Sequence, residues 1–230
     1  MSFHFSQSSS LRPCDGGVGD RKLTVSSIRS RGQLRELSQR LAHGFRRTLN
    51  PGDVILLFSP NSFYYHSIVL AAQCAGIVFS GANAAYIPSE AAHQIADSGA
   101  KLLLVHPSVL PVALAATEQL GWSKERQVQN IVIAVRKDEA GAADERFLTL
   151  DSLISDQLLE PHRILKPKDT VAYLGYSSGT SGKAKGVRTS AWNMTVRRFS
   201  NFRLPLPLLS TESTAFWTSL VSIEYVGTSG

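Results

Sequence analysis

Apolar runs of strand length alternate with helical segments along the chain, and this alternation constrains the fold more than any other feature. Each run is apolar throughout, not at every second residue, as expected for strands that are buried on both faces. The pattern therefore predicts an α/β fold, with a layered, mainly parallel sheet flanked by helices. The predicted strands are Val54–Phe58, Ile77–Phe79, Leu102–Val105, Ile131–Val135 and Val171–Leu174.

The predicted helices precede or separate these strands. The first has apolar residues at three- and four-residue steps, which place them on one helical face. Glycines follow the others, where this residue commonly ends a helix. The apolar face of the first helix consists of Leu34, Leu37, Leu41 and Phe45. The other predicted helices are Ser62–Ala75, Ser89–Ser98 and Pro107–Leu120.

The positive charge of the chain is concentrated near its N-terminus. The 230 residues include 24 Lys and Arg against 18 Asp and Glu, a net charge of +6. Nine of these basic residues and only three of the acidic ones fall in the first fifty positions, and the remainder is balanced. A nucleic-acid-binding domain is expected to carry its basic excess on a folded face, so we expect no nucleic-acid partner. Residues 1–30 are expected to form a mobile basic arm.

Cysteine content and hydropathy favour a reducing compartment. Two cysteines, Cys14 and Cys74, are too few for a disulfide scaffold or a four-cysteine metal site. Polar residues interrupt the most apolar stretch, 67–87, which predicts a buried helix and strand and no transmembrane segment. The N-terminus lacks the apolar run of a signal peptide. A cytoplasmic protein is expected, and a peroxisomal one stays open if the true C-terminus lies beyond this sequence.

The densest cluster of glycine and hydroxyl residues follows the fifth predicted strand, at residues 176–187. Its glycines allow successive N–H groups to face one anion, while its hydroxyls and two lysines add donors and positive charge. Such a loop after a buried strand suits a polyphosphate. Because glycine disfavours helix, the loop is expected to join two strands, the first continuing to Tyr176 and the second at about 186–189. The segment is Tyr176-Ser177-Ser178-Gly179-Thr180-Ser181-Gly182-Lys183-Ala184-Lys185-Gly186-Val187.

Two general motifs fit this segment incompletely. A Walker A loop requires glycine at its first position and Ser or Thr after Gly-Lys, but Ser177 and Ala184 occupy these places. A G-x-S-x-G nucleophile elbow is formally present at 175–179, and it leaves a serine hydrolase with Ser177 as nucleophile as an alternative. That motif needs a following helix and a downstream histidine, whereas all six histidines lie upstream of Ser177.

The same segment closely resembles the phosphate-binding signature of the adenylate-forming acyl-CoA and aryl-CoA ligases, aromatic-Ser-Ser-Gly-Thr-Ser/Thr-Gly-x-Pro-Lys-Gly-Val. Ala184 stands where that signature has proline. Six upstream segments match the family in order and look most like its coumarate–CoA-ligase-like branch. They are Leu34–Leu37, Gly52–Val54, Ser59–Ser62, Ala75–Ile77, Ala82–Tyr86 and Asp97–Lys101.

This resemblance implies a ligase that converts a carboxylate and ATP to an acyl-adenylate and then transfers the acyl group to a thiol. The implied cofactors are ATP, Mg²⁺ and coenzyme A, and the implied partners are a nucleotide and a small-molecule carboxylic acid. No catalytic residue and no metal ligand is assigned within the chain. The residues implied to bind the β- and γ-phosphates are Ser177, Ser178, Gly179, Thr180, Ser181, Gly182 and Lys185.

The resemblance also sets expected boundaries. Residues 31–194 correspond to part of the AMP-binding (adenylation) domain, and residues 195–230 form an unmatched Ser/Thr-rich tail. The family's ribose-binding aspartate and the domain that carries its adenylation lysine have no counterpart after Gly186. We therefore expect a truncated ligase that is inactive as an isolated chain, and the alternative is a non-catalytic relic of the ligase fold.

Overall fold

A computed structural model describes residues 30–141, 145–177 and 183–194. The predicted arm (apart from Ser30) and the predicted tail lie outside the described residues. The helices are α1 (Arg31–Arg46), α2 (Phe63–Ala75), α3 (Pro88–Ser98), α4 (Leu110–Gln119) and α5 (Lys124–Asn130). The strands are β1 (Val54–Phe58), β2 (Val78–Ala82), β3 (Leu102–Val105), β4 (Ile131–Ile133), β5 (Leu148–Thr149), β6 (Val171–Ser177) and β7 (Lys185–Ser190).

These strands form one sheet in the order β5-β4-β3-β1-β2-β6-β7. Strands β1 to β6 run parallel, and β7 is antiparallel to β6. The chain crosses from β1 to β2 through α2 and then back over β1 to β3 through α3. Because such crossovers are right-handed, α2 and α3 lie on opposite faces of the sheet. The mainly parallel, helix-flanked sheet predicted from the sequence is confirmed.

The core is centred on β1, which lies between β2 and β3. Ile55 to Phe58 are each at most 1% exposed, because helices cover both faces of this strand. On one of these faces α1 packs against α2. The predicted apolar face of α1 is confirmed, since Leu37, Leu41 and Phe45 are almost fully buried. Burial of this kind supplies most of the free energy that holds an amphipathic helix in place.

The most apolar stretch of the chain, 67–87, contains the end of α2 and all of β2. Gly76 ends α2 with a left-handed φ of 70°, a conformation that residues with a Cβ rarely adopt. A Cβ at Gly76 would also lie 2.5 Å from Cδ2 of His162, so two constraints favour glycine there. Among the described residues, no helix is both long enough and apolar enough to span a membrane.

The structure differs from the sequence prediction in a few elements. The helix expected over Pro107–Leu120 is divided into a 3₁₀ turn at Pro107–Val109 and α4, which has Pro111 in its first turn. Strand β6 ends at Ser177, one residue beyond the Tyr176 expected before the loop, because it pairs there with β7. Helix α5 and the two-residue strand β5 were not predicted.

Two glycines of α1 provide a test of how tightly this helix packs. Alanine normally stabilises a helix by up to about 1 kcal/mol relative to glycine. A Cβ at Gly44, however, would overlap the carbonyl group of Leu153. We expect Gly44→Ala to destabilise the protein by about 2 kcal/mol or more, because the backbone of residue 153 has to move.

Gly32→Ala is the matched control, since a Cβ at Gly32 has only Ser30 Oγ nearby, at 3.8 Å. We expect this variant to be as stable as the unmodified protein or slightly more stable. Urea unfolding monitored by circular dichroism compares the two variants. Equal effects of the two substitutions would contradict the close approach of α1 to Leu153.

Candidate functional site

The glycine-rich segment lies between two paired strands. β6 ends at Ser177, β7 begins at Lys185, and these two residues are directly opposite each other in the antiparallel register. The strand-to-strand connection predicted from the glycines is thereby confirmed. A Walker A loop and a nucleophile elbow both lead into a helix instead.

The connection between β6 and β7 leaves the sheet at its carboxyl edge. β6 is parallel to its neighbour β2, which ends at Ala82, and β2 is parallel to the central β1. The ends of these strands therefore lie along one edge of the sheet. Open α/β sheets bind their ligands at this edge, where loops from several strands converge. The position of the glycine-rich segment is that of a ligand-binding loop.

Two of the seven predicted phosphate-binding residues, Ser177 and Lys185, lie in the described part of the chain. Both are exposed. Because directly opposed residues of an antiparallel pair extend to the same face, the Ser177 hydroxyl and the Lys185 ammonium share one side of the hairpin. The other five residues lie outside the described residues: Ser178, Gly179, Thr180, Ser181 and Gly182.

Helix α3 contacts the hairpin next to both ends of the segment. His93 Nε2 lies 2.8 Å from the carbonyl oxygen of Ala184. The Tyr176 hydroxyl donates a hydrogen bond of 2.6 Å to Asp97 Oδ2. In the sequence, Asp97 stands out only as part of the segment Asp97–Lys101, and no pattern distinguishes His93. Their four-residue spacing indicates a shared helical face but not the strand that this face contacts.

Burial and the contact with Asp97 both favour the protonated form of Tyr176. Burial raises the pKa of the Tyr176 hydroxyl well above its usual value, and the hydrogen bond to Asp97 raises it further. The negative charge of Asp97 and the nearby Tyr86 act in the same direction. The raised pKa favours the protonated hydroxyl, which is the form that donates to Asp97.

A buried polar network links α3 to the strand that leads into the loop. The side-chain amide of Gln94 on α3 donates to Ser80 Oγ at 2.9 Å and to the carbonyl of Gly81 at 3.1 Å. The Ser80 hydroxyl in turn donates to the carbonyl of Leu174 at 3.1 Å. Ser80 and Gln94 are at most 1% exposed. Hydrogen bonds in such an apolar environment are costly to break, so this network fixes β6 relative to α3.

Other segments that resemble the ligase family lie at the opposite, amino edge of the sheet. The carboxylate of Asp53 contacts Lys101 Nζ at 2.7 Å and accepts a hydrogen bond from the backbone N–H of Asn50 at 2.8 Å. Asp53 precedes β1 and Lys101 precedes β3. These contacts join the starts of two strands, so this pair of segments has a structural role away from the site.

Within the described ranges, no group of three or more His, Cys, Asp or Glu side chains is arranged to hold a metal ion. The two described residues of the predicted phosphate-binding set are donors, namely the Ser177 hydroxyl and the Lys185 ammonium. Donors of this kind suit an anion such as a phosphate.

Comparison with known proteins identifies the family of this chain. The family model described as AMP-binding enzyme matches residues 20–226. The chain therefore belongs to the AMP-binding enzyme family, which confirms the resemblance to adenylate-forming acyl-CoA and aryl-CoA ligases. The predicted boundaries at residues 30 and 194 stay predictions.

The similar proteins are considerably longer than this chain. Acyl-CoA synthetase 7 from Caenorhabditis elegans is 32% identical over 152 residues, which is 66% of this chain and 26% of the relative. 4-Coumarate-CoA ligase 1 from Narcissus pseudonarcissus is 31% identical over 179 residues, or 76% of this chain and 29% of the relative. The chain thus spans between a quarter and a third of the length of these relatives.

Solved structures share the fold. The anthranilate CoA ligase AuaEII, solved in complex with anthranoyl-AMP, superposes with a TM-score of 0.62 at 19% identity, over 73% of this chain and 31% of the ligase. A red-emitting luciferase from Phrixothrix hirtus gives a TM-score of 0.63 at 22% identity, over 76% and 41%. The architecture of this chain is therefore that of one part of an adenylate-forming ligase.

The role of Ser80 in fixing β6 can be tested by Ser80→Ala. This substitution removes the partner of the Gln94 amide and of the Leu174 carbonyl in a buried place. We expect it to lower the free energy of unfolding by about 1–3 kcal/mol. Ser89→Ala, at an exposed position of α3, is the matched control and should change the free energy by less than about 0.5 kcal/mol. Urea unfolding measures both, and equal stabilities of the two variants would exclude the network as a stabilising link.

Proposed function

We propose that this chain supplies the phosphate-binding part of an ATP-dependent ligase that joins a carboxylic acid to a thiol through an acyl-adenylate. The observation that carries the proposal is the β6–β7 hairpin at the carboxyl edge, with the Ser177 hydroxyl and the Lys185 ammonium on one face. Membership of the AMP-binding enzyme family supports it. So do the names of the relatives, which include an acyl-CoA synthetase and a 4-coumarate-CoA ligase.

In the first step of the proposed reaction, a carboxylate oxygen of the acid attacks the α-phosphorus of ATP. The bond from this phosphorus to the oxygen bridging to the β-phosphate breaks, and pyrophosphate leaves with the electron pair. Negative charge grows on the leaving group, where donors held at fixed positions stabilise it. We assign this role to Ser177, Ser178, Gly179, Thr180, Ser181, Gly182 and Lys185.

In the second proposed step, a thiol attacks the acyl carbonyl of the adenylate, loses its proton and displaces AMP. Coenzyme A is the thiol that the names of the relatives support. Mg²⁺ would be held mainly by the phosphates themselves, as is common at nucleotide sites. The described residues provide no carboxylate cluster for it.

The two lysines of the segment are proposed to differ in function. Lys185 is the first residue of β7 and is opposite Ser177 in the register, so both side chains extend to the same face of the hairpin. Lys183 precedes β7 and is exposed in a bend. We therefore assign phosphate binding to Lys185 and a solvated position to Lys183.

Substitution of each lysine tests this assignment. We expect Lys185→Ala to weaken binding of Mg·ATP to the 230-residue chain about tenfold at low ionic strength, because an ammonium–phosphate contact is lost. Lys183→Ala, which removes the same charge two residues away, should change the dissociation constant by less than about twofold, since screening weakens a solvated charge. Isothermal titration calorimetry measures both, and equal losses would show that only net charge matters.

Turnover by the 230-residue chain is the second test. We expect weak ATP binding and no carboxylate-dependent ATP–pyrophosphate exchange, because the chain covers between a quarter and a third of relatives that bear the whole activity. Loss of even one preorganised donor costs about 3 kcal/mol of transition-state stabilisation. Purified protein is assayed with a panel of aryl and fatty acids. Exchange that disappears in Lys185→Ala would contradict the expected inactivity.

The same sample distinguishes the hydrolase alternative. A fluorophosphonate probe reacts with activated serine nucleophiles, so covalent labelling of Ser177 would favour a serine hydrolase over the ligase. We expect no labelling, because phosphate binding requires the Ser177 hydroxyl only as a hydrogen-bond donor. Mass spectrometry of tryptic peptides identifies any labelled residue.

A further inference from the structure

Two side chains on one face of α3 contact the β6–β7 hairpin on either side of its connection. His93 and Asp97 are four residues apart, which is about one helical turn, so they lie above one another. His93 contacts the carbonyl of Ala184, next to Lys185, and Asp97 contacts the hydroxyl of Tyr176, next to Ser177. A single helical turn thus contacts Tyr176 at the end of β6 and Ala184 just before β7, each one residue away from a proposed phosphate-binding side chain.

The chemistry of the His93 contact fixes the direction of its hydrogen bond. A carbonyl oxygen only accepts, so Nε2 of His93 carries the proton and donates it to Ala184 at 2.8 Å. The Asp97 contact has the opposite direction, because the carboxylate accepts from the Tyr176 hydroxyl at 2.6 Å. Hydrogen bonds to a charged acceptor are the stronger kind, and this one is correspondingly short.

The close approach of β7 to α3 supports the same arrangement. A Cβ at Gly186 would lie 3.2 Å from Asp97 Oδ2 and 3.2 Å from Cζ of Tyr176. The side-chain pair therefore fills the space above Gly186, and a larger residue would displace it. Gly186 immediately follows Lys185, so the same contact limits the movement of that lysine's backbone.

Helix α3 is itself held rigidly on the sheet. Gln94, which is adjacent to His93, is 1% exposed and donates to Ser80 and to the carbonyl of Gly81. Ala91, Ala92 and Ile95 are also buried in the core. A helix fixed in this way provides a rigid reference for groups that contact it.

We propose that His93 and Asp97 are positioning residues that set the separation and orientation of Ser177 and Lys185. The consequence for ATP rests on the proposed function, because it requires that Ser177 and Lys185 bind phosphate. Electrostatic stabilisation depends on donors that are already in place before charge develops. Loss of either contact leaves one strand end of the hairpin free to move. Binding of ATP then has to order that strand end, and the entropy lost in doing so weakens the affinity.

The test uses two pairs of variants of the 230-residue chain. His93→Ala is compared with His93→Gln, and Asp97→Ala is compared with Asp97→Asn. Ser89→Ala is the control on the same helix. The amide of glutamine can donate where Nε2 of His93 does, and the amide oxygen of asparagine can accept from Tyr176. The first readout is the rate of tryptic cleavage after Lys183 and Lys185, followed by mass spectrometry. The second is the dissociation constant of Mg·ATP, and thermal unfolding checks that every variant is folded.

We expect both alanine variants to be cleaved about fivefold faster after Lys183 and Lys185 and to bind ATP about fivefold more weakly, which corresponds to the loss of one hydrogen bond. The amide variants and Ser89→Ala should stay within about twofold of the unmodified chain. Cleavage that is unchanged in both alanine variants overturns the proposal. So does an amide variant that behaves like the matching alanine variant, because the retained hydrogen-bonding group would then have no effect.

The two readouts separate this proposal from the proposed function. Tryptic cleavage requires no ATP, so faster cleavage in the alanine variants supports the positioning role even if the unmodified chain fails to bind ATP. In that outcome the proposed phosphate-binding function is wrong and the structural part of the inference stands. If ATP binds and the alanine variants leave both readouts unchanged, the function stands and the positioning role is wrong.

Discussion

The site hairpin depends on a short attachment to the rest of the sheet. β6 pairs with β2 over two register positions, Phe79 with Tyr173 and Ser80 with Leu174. The buried Ser80 hydroxyl strengthens this junction by donating to the carbonyl of Leu174, and it also accepts from Gln94 on α3. A parallel ladder of this length is weak by itself, so side-chain hydrogen bonds contribute a large share of its stability. The position of the glycine-rich segment therefore follows from a few polar atoms in the core.

The parts of the fold that are predictable from the sequence are those with strong hydrophobic patterns. β1 and β3 are buried on both faces, and their continuous apolar runs mark them without ambiguity. β7 was expected only from its glycines, because this exposed edge strand has no apolar pattern of its own. α5 is short and mostly polar, and the serine before it, Ser123, was the available signal for its start, since its side chain accepts from the N–H of Arg126.

The candidate site also has one part that is predictable from the sequence and one part that is not. The motif at residues 176–187 predicts an anion-binding loop between two strands, because glycine content and hydroxyl content are local properties of the sequence. The contacts of His93 and Asp97 are separated from their partners by 91 and 79 residues. Only the crossover of the chain from β2 through α3 brings that helix next to β7. Local patterns carry no information on such contacts, so no residue spacing could have predicted them.

The segments that resemble the ligase family lie at two different edges of the sheet. Asp53 and Lys101 join the starts of β1 and β3 at the amino edge of the sheet. His93, Asp97 and Tyr176 meet at the carboxyl edge beside it. Asp97 and Lys101 belong to one five-residue segment, yet they act at different places, because α3 ends between them at Ser98 and Lys101 directly precedes β3. Resemblance in one short segment can thus reflect two separate requirements, one for the stability of the sheet and one for the geometry of the site.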